Sequence, residues 1–241
     1  MKNTILSLFV AVVAVFPVLS RAQITNPGFE AGTTGWSVTS GDSSLFTAVS
    51  SLSDPGWTTV NPTAGSQFAV VSDYGVNLFD GVDTETVSQS FTISSAGILS
   101  LDYRFLTDAV NVPAYNPFAQ ITLTPTVGGP VTLAGISRND LQADPTDAGP
   151  LSPGAAYQVG GLAIGQDAWH TASFDVSSLV GQQVTLAFSV SEGSYPNDSS
   201  LNSELAVDHI QVAPVPEPNV GVMLAGGFGL LTLLKLRHSR S

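Results

Sequence analysis

Apolar and polar residues alternate through most of the chain between residues 23 and 213. From Leu99 to Phe105 every second residue is large and apolar or aromatic, and Ser100, Asp102 and Arg104 fill the positions between. A period of two puts all the apolar side chains on one face of a β-strand. Between the two ends of the chain, no window of ten or more residues has convincing helical spacing. We therefore predict an all-β domain.

Turn residues divide this region into short segments. We predict strands at residues 36–39, 67–71, 87–93, 99–105, 119–124, 131–134, 171–176, 184–190 and 205–212. Eight or nine such strands make an antiparallel two-sheet sandwich. With both ends set aside, about 190 residues remain, which is enough for one domain with its own core. The chain has no cysteine, so disulfides, thiol catalysis and cysteine-based zinc sites are excluded.

Charge is distributed unevenly along the chain. Residues 23–213 hold 18 acidic residues against two arginines, Arg104 and Arg138, for a net charge of −16. Such a surface repels phosphate backbones, which argues against nucleic acid as a partner. The acidity favours either divalent cations or simply solubility outside the cell.

The N-terminal residues 1–22 have the order of a secretory signal. Lys2 precedes an apolar stretch from Ile5 to Leu19, and Ser20 and Ala22 are the small residues that signal peptidase recognises. We predict a signal helix that is cleaved before Gln23. An uncleaved N-terminal anchor is the alternative, which Pro17 disfavours because it interrupts a helix.

The C-terminal residues 214–241 combine three features. A proline-rich spacer with the box Val215, Pro216, Glu217 and Pro218 comes first, an apolar segment at 220–234 follows, and a basic end at 235–241 finishes the chain. At ~1.5 Å per residue the apolar helix is roughly 22 Å long, shorter than the ~30 Å hydrocarbon core. We predict a weak transmembrane helix. Its cytoplasmic side is set by the cations of the basic end, Lys235, Arg237 and Arg240.

This tail resembles the PEP-CTERM sorting tail. The resemblance implies that an exosortase, a membrane enzyme, recognises the tail and releases or transfers the protein to the surface. The basic end departs from the family pattern because it is mixed rather than a solid arginine cluster. A plain tail anchor behind a proline-rich linker is the alternative. Either route predicts export across the inner membrane, anchoring through the C-terminal helix, and then a surface or extracellular location.

The middle domain, residues 23–213, resembles the galactose-binding-like jelly rolls found among carbohydrate-binding modules. Three stretches carry the resemblance, namely Asn26-Pro27-Gly28-Phe29-Glu30 with Gly35-Trp36, then residues 174–184, then the closing strand 205–212. It implies a jelly-roll sandwich. In such modules the glutamate of the first stretch and the aspartate of the last often hold calcium, which implies Glu30 and Asp208 as metal ligands.

Asp208 also stands out without the resemblance. By strand alternation it shares a side with Ala206, Ile210 and Val212, so we predict that it faces the core and needs a partner. Calcium is one possible partner, and backbone N–H groups at a sheet corner are the other. A second acidic cluster, Asp73, Asp80, Asp83 and Glu85, lacks the spacing of a calcium-binding loop and predicts a solvated loop.

Aromatic residues in turn-rich stretches are the candidates for sugar binding, and each could also be a loop plug. They are Trp57, Tyr74, Tyr115, Phe118 and Tyr195, with Phe79 as a further one. Trp36 and Trp169 are expected to pack at strand ends. The sequence contains no Gly-x-Ser-x-Gly, His-Glu-x-x-His or phosphate-loop motif, so we assign no catalytic residue.

Three functions agree with these features. The first is a non-catalytic protein of the cell envelope or extracellular polysaccharide matrix, stabilised by calcium. The second is a carbohydrate-binding module that recognises a glycan through its aromatic loops. The third is a polysaccharide-active enzyme with paired carboxylates, which has the least support.

Overall fold

The structure is a computed structural model that describes residues 24–53, 59–73, 84–107, 116–138, 158–159, 162–163, 165–166, 168–191 and 203–214. Two single-turn 3-10 helices lie at Ser43–Leu45 and Ser177–Leu179. In chain order the strands are β1 (Ser37–Ser40), β2 (Phe46–Val49), β3 (Phe68–Ser72), β4 (Thr84–Thr92), β5 (Gly97–Thr107), β6 (Phe118–Pro125), β7 (Val131–Ser137), β8 (Gln158–Val159), β9 (Leu162–Ala163), β10 (Gly165–Gln166), β11 (His170–Asp175), β12 (Gln183–Ser191) and β13 (Ser203–Pro214).

These strands form two antiparallel sheets that face each other, together with a separate hairpin of β8 and β9. The first sheet has the order β1-β4-β12-β6-β7. The second has the order β10-β5-β13-β3-β2, and β11 pairs with β5 along the same edge as β10. The predicted jelly-roll sandwich is confirmed, and all nine predicted strands are present. The prediction missed β2, which has four residues, and β8, β9 and β10, which have two residues each.

The main core fills the space between the sheets. Every second residue of β4, β6 and β12 is buried there, as are Leu99, Leu101 and Phe105 of β5. Trp36 packs its ring 5.0 Å from Phe188 and 5.4 Å from Phe29, measured between ring centres. Burying each such large side chain contributes about 1.5–3 kcal/mol. The predicted structural role of Trp36 is confirmed.

A second, smaller apolar cluster lies on the opposite face of the second sheet. Its buried members are Val60, Phe68, Val70, Leu106 and Ala206. Strand alternation explains this, because Val71 and Leu205 face the main core while their neighbours face away from it. Residues 59–67, which we name the cover segment, lie over the cluster with Trp169. The Trp169 ring meets Phe68 edge-on, and its N–H donates to the Asn61 carbonyl at 3.2 Å.

The two ends of the sandwich differ in their connections. At one end, four-residue and five-residue turns join β4 to β5 and β6 to β7, and β13 finishes at Pro214. At the other end, ten or eleven residues join β3 to β4, β5 to β6 and β12 to β13, and β7 also finishes there. We name these the short-turn end and the long-loop end.

Candidate functional site

Asp208 is completely buried, as predicted, and its carboxylate is surrounded by hydrogen-bond donors. Oδ2 accepts from the Thr63 N–H at 2.7 Å, the Ala64 N–H at 3.0 Å and the Thr63 hydroxyl at 3.1 Å. Oδ1 accepts from the N–H of His209 at 2.6 Å. A carboxylate has about four lone-pair positions for hydrogen bonds, so these donors satisfy it. This is the backbone arrangement that the sequence analysis left open.

The side chain of Asp208 does not face the main core, and that prediction was wrong. A β-bulge after Asp208 shifts the register with β5, and His209 takes a positive φ of 51° there. The extra residue reverses the alternation. Ile210 therefore packs in the main core, whereas Asp208 shares the face of Ala206 and the second cluster.

Glu30 binds the same stretch of chain from another side. Its Oε1 accepts from the N–H groups of Ser66 at 2.7 Å and Gln67 at 3.1 Å, and its Oε2 accepts from the Ser66 hydroxyl. The Ser66 hydroxyl, followed by the Ser66 and Gln67 N–H groups, holds the pKa of Glu30 below 4.5. Gly65 has a φ of +67°, and a Cβ there would collide with the Glu30 carboxylate.

Glu30 and Asp208 therefore act on one target, residues 63–67 of the cover segment. We name this arrangement the carboxylate clamp. The groups that face the two carboxylates are N–H and O–H donors, whereas calcium prefers six to eight oxygen ligands. Among the described residues, no three acidic or histidine side chains group to hold a metal. The clamp geometry suits hydrogen bonding better than calcium, and the calcium site stays a prediction.

Sequence reasoning missed the cover segment as the partner of these carboxylates. The composition Asn61-Pro62-Thr63-Ala64-Gly65-Ser66 is typical of a turn. That signal indicates a loop, but it does not show which side chains the loop contacts.

Two members of the predicted solvated acidic cluster are buried instead. Asp73 is 1% exposed and Glu85 is 1% exposed. Each lies near the end of a strand at the long-loop end, where its carboxylate accepts a hydrogen bond from a backbone N–H group. Asp73 Oδ1 accepts from the Ser203 N–H at 2.5 Å, and Glu85 Oε1 accepts from the Asp42 N–H at 2.7 Å. Asp80 and Asp83 lie outside the described residues.

Phe118 is the one predicted sugar-binding aromatic that the structure describes. It opens β6 at the long-loop end and is 40% exposed. Its side chain lies on the outer face of the first sheet, because Ala119 and Ile121 point into the core. Trp57, Tyr74, Phe79, Tyr115 and Tyr195 lie outside the described residues. In the chain, all of these except Trp57 are flanked by strand ends that lie at the long-loop end. Those ends are marked by the described residues Asp73, Asn116, Ser191 and Ser203.

The two histidines of the domain make ordinary contacts. His209 Nδ1 lies 3.3 Å from Asp102 Oδ2, and the other Asp102 oxygen accepts from the Thr171 hydroxyl at 2.6 Å. That hydroxyl therefore points at a carboxylate and not at the imidazole, unlike a nucleophile paired with its base. The His170 ring packs against Tyr103 with ring centres 5.6 Å apart.

The predicted signal and sorting segments also lie outside the described residues. These include the box Val215 to Pro218 and the cations Lys235, Arg237 and Arg240. In the part of the chain that the structure does describe, no helix has the length and apolar character needed to cross a bilayer.

No family model and no curated protein matches this sequence. Solved structures with a similar fold include a carbohydrate-binding module in complex with β-1,4-galactotriose, at 13% identity and a TM-score of 0.42, covering 81% of this chain and 100% of the module. The K3 cleaved adhesin domain of Lys-gingipain from Porphyromonas gingivalis is 14% identical with a TM-score of 0.41, covering 80% and 99%. A mannan-recognising carbohydrate-binding module is 12% identical with a TM-score of 0.40, covering 81% and 96%. These values are too low to transfer a ligand or partner to this chain.

Proposed function

We propose that this protein is exported, sorted to the cell surface by its tail, and binds an extracellular polysaccharide without catalysing a reaction on it. The observation that carries the proposal is the polarity of the sandwich. The connections β3–β4, β5–β6 and β12–β13 meet at one end, and β13 finishes at Pro214 at the other end. An acidic domain of this charge also agrees with an environment outside the cell.

In this proposal, attachment and recognition are assigned to opposite ends of the sandwich. Pro214 is followed directly by the sorting box Val215 to Pro218, so the tether leaves from the short-turn end. Ile24 lines a shallow pocket together with Ile210 and Pro214, which places the start of the domain at the same end. At ~3.3 Å per residue, the 12 residues of β13 hold the long-loop end roughly 40 Å from the tether. The long-loop end then faces away from the cell.

At that outer end, aromatic side chains are the proposed glycan contacts. Tyr74, Tyr115, Phe118 and Tyr195 are assigned to it from the strand ends that flank them. Trp57 is a separate candidate in the connection from β2 to β3, whose flanking strand ends point toward the short-turn end. Aromatic rings supply large apolar faces at little entropic cost, which suits stacking on sugar rings. The exposure of Phe118 supports this assignment.

A binding experiment on the purified full-length protein tests the recognition step. We expect retention on at least one of cellulose, galactan, mannan and alginate, and a roughly tenfold loss, worth about 1.4 kcal/mol, for Tyr115→Ala, Tyr195→Ala or Phe118→Ala. Val127→Ala is the matched control, since Val127 is 75% exposed but lies in a turn at the short-turn end. Absence of retention on all four polymers, or an equal loss in Val127→Ala, would contradict glycan binding.

A processing experiment tests the export route. If signal peptidase removes residues 1–22, N-terminal sequencing of the surface protein begins at Gln23. If an exosortase-type enzyme acts on the tail, replacing Pro216, Glu217 and Pro218 by alanine traps the protein in the inner membrane. Surface delivery of that variant would mean that the tail is only an anchor.

Calcium between Glu30 and Asp208 is proposed as a separate point, because it does not bear on glycan recognition. A bound ion stabilises the folded protein, so its removal by a chelator lowers the melting temperature. A clamp made only of hydrogen bonds predicts no change in melting temperature. An unchanged melting temperature in excess EDTA would reject the calcium site.

A further inference from the structure

The outer face of the first sheet has an unusual composition for so acidic a protein. Side chains that point outward from β4, β12 and β6 alternate with the buried core residues of those strands. We name this surface the hydroxyl face. Its members are Thr84, Thr86, Ser88, Ser90, Thr92, Gln120, Thr122, Thr124, Gln183, Thr185, Ala187 and Ser189.

Strand register aligns these residues into rows across the sheet. Ser90, Thr185 and Thr124 form one row, and Thr86, Ser189 and Gln120 form another. Within the first row, the Ser90 and Thr185 hydroxyls lie 2.8 Å apart. Rows repeat about every 6.7 Å along the strands, and neighbours within a row stand about 4.8 Å apart. Since nearly all the side chains are short, the surface is flat and dense in donors and acceptors.

The hydroxyl face carries no charge. Glu85 is the one ionisable residue in the five strands of the first sheet, and it is buried on the inner side. The strands of the second sheet, by contrast, carry Asp102, Arg104, Asp175, Glu204 and Asp208. If acidity served only solubility, an open sheet of this size would be an obvious place for it. Threonine has a high strand propensity, but serine is not among the favoured strand residues, so propensity alone does not explain the composition.

We propose that the hydroxyl face binds a neutral polysaccharide that runs along β4, β12 and β6 and so crosses successive rows. This inference rests on the proposed glycan binding and adds to it a second surface and a ligand class. A neutral sugar polymer presents hydroxyls that both donate and accept, as do Ser and Thr, whereas an acidic polymer is repelled by a domain of net charge −16. Single contacts are weak, but a polymer that spans many rows gains avidity.

Phe118 connects this surface to the long-loop end. It lies on the same outer face of β6 as Gln120 and Thr122. Phe118 pairs with Ser191 of β12, and Ser191 also pairs with Thr84 of β4. Thr84 precedes Ser90 by six residues in β4. That separation is roughly 20 Å along the strand. One extended polymer could therefore contact Phe118 and the far rows together, and variants at Ser90 are well separated from the aromatic loops.

The test compares two serine-to-glutamate variants of the full-length protein. Ser90→Glu places a carboxylate on the hydroxyl face, and Ser173→Glu places one on β11 of the second sheet, both at exposed positions. A neutral polymer that covers Ser90 must desolvate the new charge without pairing it, which is unfavourable. We expect at least tenfold weaker retention on neutral cellulose, galactan or mannan for Ser90→Glu and wild-type retention for Ser173→Glu. Wild-type binding should change little with salt. Equal melting temperatures confirm that both variants fold.

Other outcomes separate this inference from the proposed function. Retention that is lost in Tyr115→Ala but not in Ser90→Glu would reject the hydroxyl face and leave glycan binding at the loops intact. Equal loss in Ser90→Glu and Ser173→Glu, or preference for alginate, would also reject it. A wild-type dimer that Ser90→Glu converts to a monomer would assign the face to a second copy of the chain. Failure of the wild type to bind any polymer would reject both proposals.

Discussion

The outer faces of the two sheets are both formed by strands with alternating apolar and polar residues, but one face is buried and the other is exposed. On the second sheet the outward residues Phe68, Val70 and Leu106 are apolar and are buried by the cover segment and Trp169. On the first sheet the outward residues are hydroxyls and amides that stay at the surface. The difference indicates that one face contributes to stability, while the other is available for contact with a partner.

Acidic residues follow the same division. Asp208 and Glu30 accept hydrogen bonds from the cover segment and so hold it against the second cluster. Part of the strongly acidic composition is therefore structural. The negative charge that predicts a solvated or cation-binding surface includes buried carboxylates that accept hydrogen bonds from the backbone, among them Asp73 and Glu85.

The largest effect is expected from Asp208→Asn. The amide keeps the size of the side chain but has only one acceptor oxygen, so an N–H₂ group must face either the Thr63 and Ala64 N–H groups or the His209 N–H, which leaves buried donors without an acceptor. We expect a loss of roughly 3 kcal/mol in the free energy of unfolding, measured with urea. Asp175→Asn is the control, because that exposed carboxylate only caps Ser177 and should matter less. Equal losses would show that the clamp does not hold the cover segment.

A smaller and specific effect is expected from a pair of threonine-to-valine variants. Thr63→Val removes a hydroxyl that donates to Asp208, so it should cost about 1 kcal/mol of stability. Thr122→Val, on the hydroxyl face, should stay within about 0.5 kcal/mol of wild type while weakening retention on the neutral polymer. A reversal of the two stability effects would remove the distinction between the faces.

The smallest effect is a pH dependence that Glu30→Gln should remove. The folded pKa of Glu30 lies below 4.5, so its stabilisation is present above that value and is lost as the pH falls through the folded pKa. The melting temperatures of wild type and Glu30→Gln should therefore converge between about pH 7 and about pH 3. If the difference between the two melting temperatures stays constant over that range, the hydrogen bonds from the cover segment do not lower the pKa of Glu30.

The strand pattern shows how far local information reaches. Nine strands were predictable because alternation is a property of each strand alone, and a buried face leaves its mark on every second residue. β2 and the two-residue strands β8, β9 and β10 were missed because such short segments hold too little of that pattern. The burial of Asp208 was also predictable from its neighbours, but its direction was not. The bulge has a positive φ at His209, and the sequence there contains no glycine or asparagine, the residues that favour such a φ.

By itself, the sequence determined the fold class, the absence of disulfides and the acidity of the domain, whereas the order of signal, sandwich and tail stays a prediction. Tertiary structure alone decided that Glu30 and Asp208 contact neighbouring parts of one short stretch, residues 63–67, that an apolar cluster is buried outside the sandwich, and that one sheet face carries no charge. The physical reason is the separation along the chain over which each effect acts. Alternation and composition act between near neighbours, whereas the partner of a buried carboxylate is 145 residues away and depends on how the whole chain packs.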